Sequence, residues 1–194
     1  LDLHFFDAKR GLVVGAYGLA FETQDGGQSW TSWTHRLPNP KGSHLYSLRA
    51  RGDTLLITGE QGLVLKSSDA GRQFQPLTLP YTGSFFTAEL PGTNEIVVAG
   101  LRGNIWRSAD GGANWSQVAS PVPVSVTAST VLPNGQLLLA NQAGGILQVS
   151  GANATPLKTP PLPPLNGLQP TVAGALVALS VQGAIALPPI ATQP

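Results

Sequence analysis

The chain has 194 residues, with 11 basic and 10 acidic side chains, three His, no Cys and no Met. A net charge of +1 offers no basic field to a phosphate backbone, which excludes nucleic acid as the main partner. The missing Cys removes disulfides and thiolate metal sites, and no apolar run reaches the ~18 residues of a membrane span.

The 23 Gly and 17 Pro point to many short strands joined by turns, within one domain over 1–194. In chain order the strands fall into units of similar length. Unit one, 1–42, runs through "LHFF", a turn at "KRG", "LVV", a turn at Gly18, a short strand and "TQDGGQSW". Unit two, 43–83, repeats this with "LYSL", "RGD", "LLIT", Gly62 and "SSDAGRQF". Unit three, 84–123, carries "GTN", "IVVA", Gly103 and "SADGGANW". In unit four, 124–164, "PNG", "LLLA" and Gly144 keep the phase, but Gly151 replaces the Asp and Pro156 the aromatic. Unit five, 165–194, has "AG" at 173, "LVAL" and Gly183, then runs out at "LPPIATQP". The turn glycines stand 44, 41, 41 and 39 residues apart, and each is expected to sit in a tight hairpin at positive φ.

The second run of each unit is apolar on both faces, so the sheets must be covered on both sides. Four-stranded antiparallel sheets of this length, packed on copies of themselves, make an all-β fold of the β-propeller type. A solenoid is the alternative, but its repeats are usually shorter or helical. Five units admit either a closed five-bladed ring or a part of a longer propeller. Because the chain opens at Leu1 without Met, it reads as a mature product or a cut segment, with any signal peptide already gone.

The eight-residue stretches share one pattern: Thr23, Asp25, Gly27 and Trp30; Ser67, Asp69, Gly71 and Phe74; Ser108, Asp110, Gly112 and Trp115. This resembles the Asp-box of bacterial-neuraminidase-type repeats. Asp accepts hydrogen bonds from turn N–H groups, Gly supplies positive φ, and the aromatic is expected to be buried against a neighbouring sheet. Three copies of one turn read as three fasteners and not as catalytic acids or metal ligands. The wider run "GLVVGAYGLAFETQDGGQSW" resembles the photosystem II assembly and stability factor family across units one to three, and more weakly unit four. That resemblance implies an exported propeller, periplasmic or secreted, that acts as an assembly scaffold without catalysis. It assigns no binding residue, because no family binding motif matches position by position.

Enzyme motifs are missing. There is no "GxSxG", "HExxH" or Walker loop, and His4, His35 and His44 lack metal-like spacing. No cofactor is expected. A sialidase-like glycoside hydrolase or a carbohydrate-binding propeller is the rival reading, although the "F/Y-R-I-P" signature is absent. Arg51-Gly52-Asp53 sits where every unit has a turn, and the sequon at Asn114 lies inside an Asp-box. That sequon and the one at Asn153 read as chance matches, and "TPPLPPL" reads as a stiff connector.

One feature remains. From Thr34 to Arg51 there are four basic residues, two His and no acid. His35, Arg36, Lys41 and His44 lie on the connector between units one and two. They are expected to share a face with Tyr17, Gln61 and Arg102, beside the turn glycines, with Gln142 and Gln182 at matching positions. Fasteners repeat, whereas a surface for an asymmetric partner need not. This face is expected to receive a protein partner through an acidic segment.

Overall fold

The computed structural model describes residues 1–171 and 175–188. The expected turn at "AG" 173 and the end of "LPPIATQP" lie outside the described residues. The protein is an all-β propeller, with five antiparallel sheets following one another as blades. Blade one holds β1 (Asp2–Phe5), β2 (Gly11–Val14), β3 (Ala20–Thr23) and β4 (Thr31–Ser32). Blade two holds β5 (Leu45–Arg51), β6 (Thr54–Gly59), β7 (Val64–Ser67) and β8 (Gln75–Pro76). Blade three holds β9 (Phe85–Glu89), β10 (Ile96–Gly100), β11 (Ile105–Ser108) and β12 (Ser116–Val118). Blade four holds β13 (Val126–Val131), β14 (Leu137–Asn141), β15 (Ile146–Ser150) and β16 (Asn153–Pro156). Blade five shows β17 (Leu165–Pro170), β18 (Leu176–Ser180) and β19 (Gly183–Leu187). Sheet order follows chain order throughout, so every connection within a blade is a hairpin.

The chain divides into two compact units, residues 1–98 with 108–115, and residues 99–107 with 116–194. The core of the first gathers Leu12, Trp33, Leu48, Leu55, Ile57, Leu65 and Phe74. The core of the second gathers Ala128, Leu138, Ile146, Leu165, Leu168, Leu176 and Leu187. Second strands explain this placement: β6 and β14 are buried almost end to end, as strands covered on both faces must be.

Blade one keeps to that rule in β2, buried at Gly11, Leu12 and Val14. Its β1 alternates instead, with Asp2 and His4 half-buried and Leu3 60% and Phe5 39% exposed, so one face of β1 is uncovered. The first strands of blades two, four and five share another feature. A register shift follows their first residue, between Leu45 and Ser47, Val126 and Ala128, and Leu165 and Gly167. Such a bulge re-aims the residue it carries.

Candidate partner-binding face

Antiparallel blades put two kinds of turn at opposite ends of their strands. At one end, each Asp-box repeats the same bonds. The hydroxyls of Thr23, Ser67 and Ser108 donate to Oδ1 of Asp25, Asp69 and Asp110 at 2.8, 2.7 and 2.8 Å. The same buried oxygens accept from the N–H groups of Gly27, Gly71 and Gly112 at 2.8, 2.9 and 2.8 Å. Each carboxylate also accepts the N–H four residues on, from Ser29, Gln73 and Asn114. The Ser29 hydroxyl and N–H hold Asp25 at about 2, and the N–H and side-chain amide of Asn114 hold Asp110 at about 2. Asp69 is lowered by the Gln73 N–H and the Ser67 hydroxyl. Carboxylates held this low are poor general acids near neutral pH.

A further repeated bond ties each box to the first hairpin of its own blade. Gly26, Ala70 and Gly111 take φ of 76°, 58° and 74°, which turns their N–H groups onto the carbonyls of Lys9, Asp53 and Asn94 at 2.8, 2.8 and 2.7 Å. Basic side chains then reach from one blade to the next box: Arg10 Nη2 donates to the Ala70 carbonyl, and Lys66 Nζ to the Gly111 carbonyl. Arg10 also pairs with Glu22 at 3.0 Å and lies over the Phe6 ring at 4.4 Å. The box aromatics are less uniform than expected. Phe74 is buried, Trp115 is half-buried and Trp30 is 41% exposed. Trp30 lies against Phe5 and donates Nε1 to the Gly27 carbonyl, while Trp33, three residues on, fills the core and meets Phe74 at 5.2 Å. Trp30 stays outside because the β1 face that it covers is itself exposed.

At the other end lie the glycine turns. Gly18, Gly62 and Gly103 take φ of 70°, 77° and 71°, as expected, and the residue before each is left-handed too: Tyr17 at 56°, Gln61 at 54° and Arg102 at 55°. Two successive left-handed residues make a type I′ turn, which favours Asn, Asp or Gly at its first position. Tyr17, Gln61 and Arg102 are all exposed. Blade four differs. Ala143, not Gln142, precedes Gly144, and Asn141 Oδ1 accepts from the N–H groups of Ala143 and Gly145. In blade five the turn is Val181–Gln182, and Gly183 starts β19 instead of occupying the turn.

Within the first unit, the connector of residues 33–44 packs beside these turns. Leu45 N–H donates to the Gly15 carbonyl, and Glu60 N–H to the His44 carbonyl. His44 meets the Tyr17 ring at 4.7 Å and the Tyr46 ring at 6.3 Å, and Tyr46 meets Phe86 at 5.1 Å. Tyr46 is the residue bulged out of β5, which sequence alone did not reveal. Lys41 and His35 are exposed. Arg36 is drawn to Glu22 at 3.7 Å, so part of its charge is spent within blade one. Arg102 belongs to the second unit, where its N–H donates to Ser125 Oγ at 3.2 Å.

Other polar groups serve the fold. Arg51 of the "RGD" turn donates Nη1 to the carbonyls of Leu90 and Pro91. Asn114 of the first sequon donates its amide to Asp110. Arg49 on β5 pairs with Asp2 on β1 at 2.5 Å and Glu89 on β9 at 3.3 Å, joining three first strands. Residues 157–164 join β16 to β17, with Leu157 and Leu162 against the core. No group of three or more His, Asp or Glu could hold a metal among the described residues.

A family model described as photosynthesis system II assembly factor YCF48 matches residues 1–184. The photosystem II assembly lipoprotein Ycf48 of Synechococcus sp. (strain CC9902) is 29% identical over 124 residues, covering 59% of this chain and 35% of the relative. The chain thus spans about a third of the length of that curated relative. Among solved structures, YCF48 bound to D1 peptide gives a TM-score of 0.70 at 20% identity, over 97% of this chain and 66% of that one. YCF48 from Cyanidioschyzon merolae gives 0.75 at 17% identity, over all of this chain and 67% of that one. At these identities the two structures speak for the fold.

Proposed function

The chain belongs to the photosynthesis system II assembly factor YCF48 family, and on that premise we propose that it is a non-catalytic propeller scaffold that binds a partner polypeptide. Its place is outside the cytoplasm, periplasmic or secreted, in keeping with a curated relative named an assembly lipoprotein. The similar YCF48 structure carries a D1 peptide, which supports a polypeptide segment as the ligand class. A hydrolase is the weaker reading, because the three box carboxylates are spent on turn hydrogen bonds.

The partner docks on the glycine-turn face of the first unit, using Tyr17, His35, Arg36, Lys41, His44 and Gln61. Arg102 is a separate candidate contact at the glycine turn of the second unit. One observation carries this choice: three successive turns hold an exposed Tyr, Gln and Arg in a left-handed conformation that those residues avoid. Each costs on the order of 1 kcal/mol against Gly or Asn, of which Tyr17 regains a part through its edge contact with the His44 ring. Side chains retained at that cost fit a role in contact. By contrast, the box end is tied down by repeated internal bonds.

Titration with the D1 peptide, followed by calorimetry, tests the face. Lys41→Glu and Tyr17→Ser are expected to weaken binding, with a smaller salt dependence for Lys41→Glu, while Gln28→Ala and Arg72→Ala leave it unchanged. The reverse pattern would move the site to the Asp-box end.

A further inference from the structure

Beside Gln61 the first unit contains an open cleft of about 250 Å³, between the connector of residues 38–43 and the second glycine turn. Clefts for whole cofactors usually start near 300 Å³. This one is sized for a single side chain. Its apolar lining comes from Leu63, Val64, Pro76 and Leu77, and Pro38 and Pro40 form the connector wall. Prolines lack an N–H, so that wall offers side-chain contact in place of main-chain donors.

Both walls are preformed. Asn39 Nδ2 donates to the Ser43 carbonyl at 2.9 Å, and Ser43 N–H donates to Asn39 Oδ1 at 3.0 Å, which braces the connector. Across the cleft, Glu60 Oε2 accepts the His44 N–H at 2.8 Å, and Oε1 accepts the Tyr46 hydroxyl at 3.3 Å. That carboxylate is therefore engaged on the connector and on β5. Lys41 is exposed and has no ion pair among the described residues, which leaves a positive charge at the rim.

We infer that this cleft receives one leucine- or phenylalanine-sized side chain of an acidic polypeptide segment, with a neighbouring carboxylate of that segment against Lys41. The inference rests on the glycine-turn face being the docking face, and it names the anchor on that face.

Three capped dipeptides serve as probes: acetyl-Leu-Asp-amide, acetyl-Leu-Lys-amide and acetyl-Ser-Asp-amide. Each is titrated up to about 10 mM, tenfold above the ~1 mM expected of so small a ligand. The amide signals of Lys41, Gly62 and Leu63 are followed by NMR. Leu-Asp is expected to give saturable shifts there, Leu-Lys to bind roughly two- to fivefold more weakly, as an exposed ion pair allows, and Ser-Asp to give none. Lys41→Glu should reverse the order of the first two while the spectrum stays dispersed. No saturable shift with Leu-Asp, equal binding of all three probes, or shifts away from the cleft would overturn the inference. If the dipeptides fail while the D1 peptide still depends on Tyr17 and Gln61, the anchor is wrong and the face stands. If the D1 peptide ignores those residues too, both fall.

Discussion

Arg10 donates through Nη2 to the Ala70 carbonyl at 2.8 Å, joining the first hairpin of blade one to the Asp-box turn of blade two. Lys66 repeats the arrangement on the next box, with Nζ 2.9 Å from the Gly111 carbonyl. In both cases the acceptor is the residue after the box Asp, whose left-handed backbone also sends its N–H to its own blade's first hairpin. One turn is therefore held from two sides.

Arg10→Ala should cost about 1.5 to 3 kcal/mol, the range for a charge-assisted hydrogen bond lost with its packing. Urea unfolding measures it. Partner binding by the folded fraction is expected to be unchanged, because the staple lies at the box end.

The box acids set an acid limit. Asp25 and Asp110 sit at about 2, below the ordinary 3.8, so the folded state holds their protons less tightly than the unfolded chain. Their stabilisation is complete above the unfolded value and is lost as pH falls from about 4 toward 2. Urea midpoints measured across that window should drop for the natural chain. The drop should be smaller in an Asp25→Asn, Asp110→Asn double variant, which starts from a lower midpoint at neutral pH. An equal drop would mean that other carboxylates carry the acid sensitivity.

Trp33→Ala should cost about 3 to 5 kcal/mol, as for other large residues removed from a core, since Trp33 is 1% exposed. Trp30→Ala should cost about 1 kcal/mol or less, as is usual at the surface. Thermal melts separate the two.

That contrast shows how far the sequence was legible. The period, the apolar second strands and the turn glycines of blades one to three are visible in the chain, because each has a fixed residue requirement. Whether a box aromatic is buried depends on what lies over the sheet, and no local pattern records that; Trp30 and Trp33 differ for this reason. The bulge that re-aims Tyr46 is likewise invisible, since it follows from pairing with β6 and carries no marker residue. At blade four, counting back from Gly144 gives Ala143, so Gln142 falls one residue outside the matching position. The left-handed Tyr17, Gln61 and Arg102 could have been suspected, because a two-residue turn ending in Gly favours a type I′ geometry.

Gln61→Gly tests the central claim most directly, because Gln61 is exposed and sits at φ 54°. Glycine accepts that conformation without strain, so the variant should be as stable or more stable by up to about 0.5 kcal/mol, the strain relieved less the extra freedom of the unfolded chain. The account predicts that the same variant binds the D1 peptide more weakly. A variant that is at least as stable and keeps full affinity would show that the strained residue is not there for the partner, and would contradict the account.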